Sequence, residues 1–363
     1  MSVRKQDTPR PPERRSAGTI GGRRQPLSWP SERPFRILSI DGGGIKGIFP
    51  ASVLSAFETE FCAGDSAGEY FDLITGTSTG GIIALGLSLG LPSNVILELY
   101  MEHGASIFPP SRLPRPVAKV VRGFGRVGRY SYDRDPLKAA LEDVFDNRTL
   151  GDAQRRLCIP SFEGTYGEVF VFKTPHHPDF KLDWSQRMVD VAMATAAAPT
   201  FFKTLKMGRQ VFADGGVWAN NPVMIGLVDA LSTHDLDRRQ VQILSISCGD
   251  LDIPFTKGQR TAGGLWHWRE IIKSAMHLAS QNSTGQAGLL IGRDQLVRIE
   301  PPPAVSAIEM DDFKAASSVI PALAAEVARS NFEAVRPFFA AKAVPAPAFN
   351  GPRQGHAPIL PFA

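Results

Sequence analysis

Two side chains in this sequence stand where acyl-transfer chemistry would need them. Ser78 lies in "FDLITGTSTGG", Phe71–Gly81, where Gly76 to Gly80 spell G-x-S-x-G at the end of an apolar run. That pattern arises by accident in roughly one chain in eight of this length, so its surroundings decide its meaning. A nucleophile elbow requires a strand before the serine, a sharp turn around it and a helix after it, so that the hydroxyl projects from the sheet edge. "FDLIT" supplies the strand, Gly76 and Gly80 let the backbone cross closely, and "GIIALGLSL" supplies the helix.

A serine hydroxyl is a weak nucleophile until a neighbour takes its proton, and the tetrahedral intermediate needs donors for its oxyanion. "DGGGIKG", Asp41–Gly47, places Gly42, Gly43 and Gly44 between a strand end and a helix start, where bare N–H groups can converge. With the N–H of Thr79 they form a candidate oxyanion hole. The competing reading is a phosphate cradle, since such loops bind anions generally, but "GGGIKG" does not match G-x-x-x-x-G-K-[ST].

For the base, Asp214 in "VFADGG" ends an apolar run and precedes Gly215 and Gly216. Its carboxylate should emerge at the same sheet edge as Ser78 and accept the serine proton directly. None of the seven histidines (His103, His176, His177, His234, His267, His277 and His356) has so suggestive a context. A triad using His234, His267 or His277 stays open as the alternative.

These residues need a scaffold. "RILSID" running into "GGGIKGIFPASVLSAFE" reads as strand, glycine turn and helix, and the order recurs around Ser78 and, less regularly, after Asp214. "EVFVFKT" and "VQILSIS" read as buried strands. The alternation predicts an α/β fold with a largely parallel sheet whose function gathers at the strands' carboxyl ends. Pro109–Tyr130, with six basic residues, four prolines and no acid, predicts an insertion, a lid or a surface loop. Leu265–Leu290 has helical spacing. The expected division is a basic, Pro-rich disordered arm over 1–33 and one domain over 34–335. Within that domain a motif core covers about 35–250 and a helical part about 251–335, and a Pro-rich tail without structure follows over 336–363.

Composition agrees with a globular enzyme: 43% of the 363 residues are hydrophobic and 21% charged. The net charge of +4 is a local effect. Met1–Arg33 holds eight Lys or Arg against three acids, which leaves the remaining 330 residues at −1. No secretory h-region is apparent, and the longest apolar stretch, "GIIALGLSLGLP", is too short to span a bilayer, so a cytoplasmic protein is expected. Cys62, Cys158 and Cys248 are too dispersed for a disulfide framework or a zinc site.

"DGGGIKG", "GTSTGG" and "DGGVWANNP", with "ATAAAPTFF" at Ala194–Phe202, resemble the patatin-like phospholipase family over roughly Phe35–Asp250. The resemblance implies a three-layer α/β/α fold with a mostly parallel central sheet. It implies Ser78 as nucleophile, Asp214 as its sole partner, and Gly42, Gly43, Gly44 and Thr79 around the oxyanion. Asp41, Gly76, Gly80, Gly215 and Gly216 complete the motifs, Lys46 steadies the loop, and Asn220–Pro222 starts a helix rather than doing chemistry. It further implies hydrolysis of lipid acyl esters without metal or cofactor.

A membrane phospholipid substrate implies peripheral contact with the inner membrane. Arg112, Arg115, Lys119, Arg122, Arg126 and Arg129 could attract anionic headgroups at about 1 kcal/mol each. "CIPSFEGTYGEVFVFKTPHHPDF" resembles the bacterial CBASS-type effectors of anti-phage signalling, which a cyclic nucleotide activates. That implies an inactive resting state, a cyclic dinucleotide or oligonucleotide activator, assembly into a homo-oligomer on activation and no DNA partner. The activator would need a basic, aromatic site, drawn from Arg122, Arg126, Arg129, Tyr130 and Tyr132, or from Trp266, Trp268 and Arg269. The alternatives are a general serine esterase with a Ser-His-Asp triad and a nucleotide sensor with a vestigial lipase site.

Overall fold

A computed structural model of the protein describes residues 24–109, 132–199, 201–249 and 271–351. The first 23 residues, the basic stretch carrying Arg112 to Tyr130, and Trp266, Trp268 and Arg269 lie outside the described residues.

The strands are β1 (Leu27–Ser28), β2 (Phe35–Ile40), β3 (Leu73–Gly76), β4 (Arg156–Glu163), β5 (Glu168–Lys173), β6 (Leu205–Met207), β7 (Gln210–Asp214), β8 (His234–Asp235), β9 (Val241–Ile246) and β10 (Leu296–Ile299). The larger sheet runs β10-β9-β2-β3-β4-β7-β6, with β5 paired to β4, and β1 pairs with β8 separately. From β10 to β4 every pairing is parallel. The β4–β5, β4–β7 and β6–β7 pairings are antiparallel.

Helices cover both faces. They are α1 (Ile48–Phe61), α2 (Thr79–Ser88), α3 (Ser93–Ile107), α4 (Asp135–Phe145), α5 (Met188–Thr195), α6 (Val223–Thr233), α7 (Ile271–Ile291) and α8 (Phe313–Ser330). Because side chains alternate along a strand, β2 sends Leu38 and Ile40 into the larger apolar layer and Phe35 and Ile37 into the smaller one. The first layer is filled by α1 to α5 and α8, the second by α6 and α7. Strands buried on both faces read as continuous apolar runs, which is why β2 and β9 are legible in the sequence. β5 differs from the buried strand expected of it: Phe170 and Phe172 are buried, but on the other face Val169 is 63% exposed and Val171 only partly covered by the smaller layer.

The site depends on a property of β4. Each strand has two edges, and β5 occupies one of them from Cys158 to Glu163. On the other edge β3 pairs with Arg156–Cys158 and β7 with Ser161–Glu163. β3 runs parallel to β4 and β7 antiparallel, so their carboxyl ends meet head to head along one flank. That places the ends of two strands distant in sequence beside each other.

The tail departs from expectation. Phe332–Val335 and Arg336–Phe339 are helical, and Phe338 and Phe339 are buried. Beyond them Ala343, Ala346 and Phe349 donate main-chain hydrogen bonds to Glu69, Gln154 and Pro175 carbonyls, so the chain is docked as far as Gly351. The reason is the four-aromatic neighbourhood of Phe339 (Phe57, Phe61, Tyr70 and Phe71), which a reading focused on proline content overlooks.

Candidate active site

β3 ends at Gly76, and two residues later Ser78 adopts φ +55°, ψ −121° before α2 begins at Thr79. Positive φ is costly for a residue with a Cβ, about 1–3 kcal/mol, and persists where the surroundings enforce it. They do so here. Ser78 N–H donates to Thr195 Oγ1 (3.0 Å), whose hydroxyl donates to the Pro160 carbonyl (2.6 Å). Thr77 N–H donates to the Ile40 carbonyl (3.1 Å), and its hydroxyl to the Ala219 carbonyl (2.6 Å). A Cβ on Gly80 would lie 2.3 Å from the Ile40 oxygen, so only glycine lets α2 start this close to β2. Gly76, Gly81 and Gly215 sit in comparably tight contacts.

The elbow aims Ser78 at Asp214. Ser78 Oγ donates to Asp214 Oδ2 at 2.6 Å, and Asp214 Oδ1 accepts from Gly216 N–H at 2.6 Å. Both side chains are buried. Burial pushes the Asp214 pKa up to about 6, against the opposing effect of the Ser78 and Gly216 donors. A carboxylate poised near neutrality is a competent general base, and one that already accepts the hydroxyl proton needs no relay.

Three of the described histidines are engaged elsewhere. His176 bonds Thr174 and Asp229, His177 bonds the Gln25 carbonyl, and His234 bonds Thr233. Asp229 also holds Lys173 (2.5 Å), so this group is a buried clamp between α6 and β5. His103 and His277 lie on α3 and α7, and His267 and His356 fall outside the described residues.

The glycine loop lies against Ser78: a Cβ on Gly42 would come within 3.2 Å of Ser78 Cβ. Gly42 is not a free donor, because its N–H donates to the Asn220 carbonyl at 3.0 Å. That leaves Gly43, Gly44 and Thr79 as the candidate amides for an oxyanion. Gly44 has φ +58° and abuts the Met310 carbonyl, which also accepts from Ile45 N–H (2.9 Å). Lys46 Nζ donates to the Gly249 carbonyl (2.5 Å), which pins the loop's far end. Asp41 is held by Arg298 through two bonds of 3.0 and 2.5 Å. Asn221, beside Asn220, accepts from Val223 N–H (3.0 Å) at the start of α6, as expected of a helix-start residue.

The sequence gives no sign of the parts played by Thr195, Met310 and Arg298, and offers Asn220 only as a helix start. Thr195 and Asn220 lie inside the motifs of the sequence and were findable there. The other two act from distant segments and carry no local signal.

Beside Ser78 opens an apolar pocket walled mainly by Ile45, Ile82, Ile107, Phe108, Leu137 and Phe202. Thr79 and Tyr100 contribute the polar edge, where Thr79 Oγ1 donates to Tyr100 Oη at 2.6 Å. Tyr132, one of the expected ligand contacts, packs edge-on against Phe108 with its hydroxyl on Asp311 (2.8 Å). An apolar pocket with a serine hydroxyl at its rim has the character of a site for a long acyl chain. Among the described residues no group of three or more His, Cys, Asp or Glu could hold a metal ion, and no helix is long and apolar enough to cross a membrane.

The patatin-like phospholipase family model matches residues 38–227, which include the glycine loop, Ser78 and Asp214. The chain is 36% identical over 259 residues to a cGAMP-activated phospholipase of Pseudomonas aeruginosa, covering 70% of this chain and 75% of that one. Proteins of the same name from Escherichia coli and Vibrio cholerae are 37% and 36% identical over 58% of this chain. The match spans less than two thirds of their length, 61% and 62%. With the family match covering half of the chain and the glycine loop, elbow and aspartate motifs falling inside it, this chain belongs to the patatin-like phospholipase family.

Proposed function

We propose that the protein releases fatty acids from membrane phospholipids through Ser78 and Asp214, and that a cyclic nucleotide switches it on in anti-phage defence. The 2.6 Å bond between Ser78 Oγ and Asp214 Oδ2 at the wall of an apolar cavity carries the reading. As Ser78 attacks the ester carbonyl, its proton passes to Asp214. The N–H groups of Gly43, Gly44 and Thr79 face the oxyanion, and Thr79 adds the positive end of the α2 dipole. Collapse expels the lysophospholipid alcohol, which takes the proton back from Asp214. Asp214 then deprotonates water, which attacks the acyl-enzyme; the Ser78–acyl bond breaks, Ser78 Oγ takes the proton back from Asp214, and the fatty acid is freed.

Activation is supported by the names of the three relatives, each a cGAMP-activated phospholipase. The substrate requires the protein to reach a bilayer surface, so peripheral contact is part of the proposal. The test measures fatty-acid release from vesicles of phosphatidylethanolamine and phosphatidylglycerol, with and without a panel of cyclic nucleotides. Release is expected with one of them and is lost in Ser78→Ala and Asp214→Asn. Release that survives Asp214→Asn, or none from folded protein under any condition, overturns the proposal.

A further inference from the structure

Gly43 and Gly44, the two glycines that carry oxyanion amides in the proposed mechanism, have no side chains with which to hold themselves. Gly is the most conformationally free residue, and an oxyanion hole works only if its donors are already in place. The loop must therefore be held by its flanks. Several of those contacts come from beyond residue 227, where the family match ends. Met310 and Gly249 hold one end through their carbonyls. At the other end the grip is ionic and two-pronged.

Arg298 sits on β10 opposite Ser245 of β9. Its Nη1 donates to Asp41 Oδ1 (3.0 Å) and to Ser245 Oγ (2.7 Å), its Nη2 to Asp41 Oδ2 (2.5 Å), and its Nε to Glu300 Oε1 (2.7 Å). The Asp41 side chain is 1% exposed and that of Arg298 13%. A paired fork fixes both the position and the plane of a carboxylate, which a point charge does not. Asp41 immediately precedes Gly42, and its own N–H is bonded to the Ile246 carbonyl (3.0 Å). Burial disfavours the Arg298 cation, but Asp41 and then Glu300 more than compensate and hold its pKa above the ordinary value.

The geometry points to Arg298 as a positioning residue for the oxyanion loop, acting through the Asp41 carboxylate to fix the amides of Gly43 and Gly44. This rests on the acyl-hydrolase reading above. Arg298 touches neither Ser78 nor Asp214 in any described hydrogen bond, so its removal should leave the nucleophile and base as they are.

The test compares wild type, Arg298→Lys and Arg298→Gln in the full chain with cGAMP present. A soluble p-nitrophenyl ester is the substrate, and rates are expressed per active site titrated with a fluorophosphonate that labels Ser78. Lys keeps the charge and loses the fork. The kcat per titrated site should fall about tenfold or more in both variants, with KM within about threefold and the acid limb of the pH profile unmoved. A merely stabilising ion pair would lower the melting temperature and the number of titratable sites, not the turnover of those that remain. A kcat per titrated site within about tenfold of wild type in Arg298→Lys overturns the assignment. If Arg298→Gln does not fold, the Lys variant decides alone. Wild type that neither takes the label nor cleaves the ester would instead sink the acyl-hydrolase reading itself.

Discussion

Ser78 and Asp214, 136 positions apart in the chain, share a 2.6 Å hydrogen bond because their strands end head to head on one flank of β4. Thr75 pairs with Cys158 and Asp214 with Ser161, so two residues of β4, Ile159 and Pro160, separate the two registers. Pro160 lends its carbonyl to Thr195, which in turn holds the Ser78 amide. The strand that brings the pair together also supports the elbow.

The raised pKa of Asp214 predicts a pH dependence with a definite sign. In the proposed mechanism turnover needs the carboxylate, so kcat/KM should rise through about pH 6 and then level off. A carboxyl whose native pKa lies above its unfolded value binds its proton more tightly when folded. It therefore favours the folded state below about pH 4, and that contribution is lost as the pH rises through about 6. At pH 8 the buried charge costs on the order of 3 kcal/mol. Asp214→Asn should lower kcat by about 10³-fold or more and melt higher than wild type at pH 8. The melting difference should narrow below pH 6; equal melting curves at pH 8 would contradict the desolvation account.

The strained backbone at Ser78 predicts an ordering of two inactive variants. Both Ser78→Ala and Ser78→Gly lose the hydrogen bond to Asp214, so that loss cancels in the comparison. Ala keeps the strain of φ +55°, whereas Gly relieves it at a smaller entropic cost. Ser78→Gly should be the more stable by about 1 kcal/mol in urea unfolding. The reverse order would mean that the turn is not strained in solution.

The elbow was legible because its requirements are local. A serine at positive φ between crossing backbones needs Gly76 and Gly80 as its neighbours, and those letters are in the sequence. The direction of β7 was not legible. An apolar run ending in Asp-Gly-Gly reads alike whether it lies parallel or antiparallel to its neighbour, and pairing decides which. All three glycines look equivalent as letters, so Gly42 reads as a donor, while a carbonyl 178 residues away, that of Asn220, engages its amide. Arg298 in "LVRIE" looks like an ordinary charge on the wet side of a strand. Nothing in those five letters shows a buried carboxylate waiting at position 41.

The docked tail predicts that stability depends on one ring more than on the ion pairs around it. Phe339 stacks on Phe61 with centroids 5.3 Å apart and meets Phe57, Tyr70 and Phe71 at 5.4 to 5.9 Å. It is 6% exposed, so Phe339→Ala should cost about 3–5 kcal/mol through lost burial and the cavity left behind. Lys342, three residues on, bonds Asp65 and Glu69 at 2.7 and 2.8 Å, but its side chain is 48% exposed. Lys342→Ala should therefore cost under about 1 kcal/mol. Phe71 lies two residues before β3, the strand that presents Ser78, so the ring cluster braces the foot of that strand from the side opposite the site. Urea unfolding of the two variants measures the contrast, and turnover per titrated Ser78 should be unchanged in Lys342→Ala. A Phe339→Ala cost no larger than that of Lys342→Ala would show that the tail rests on the surface without supporting the core.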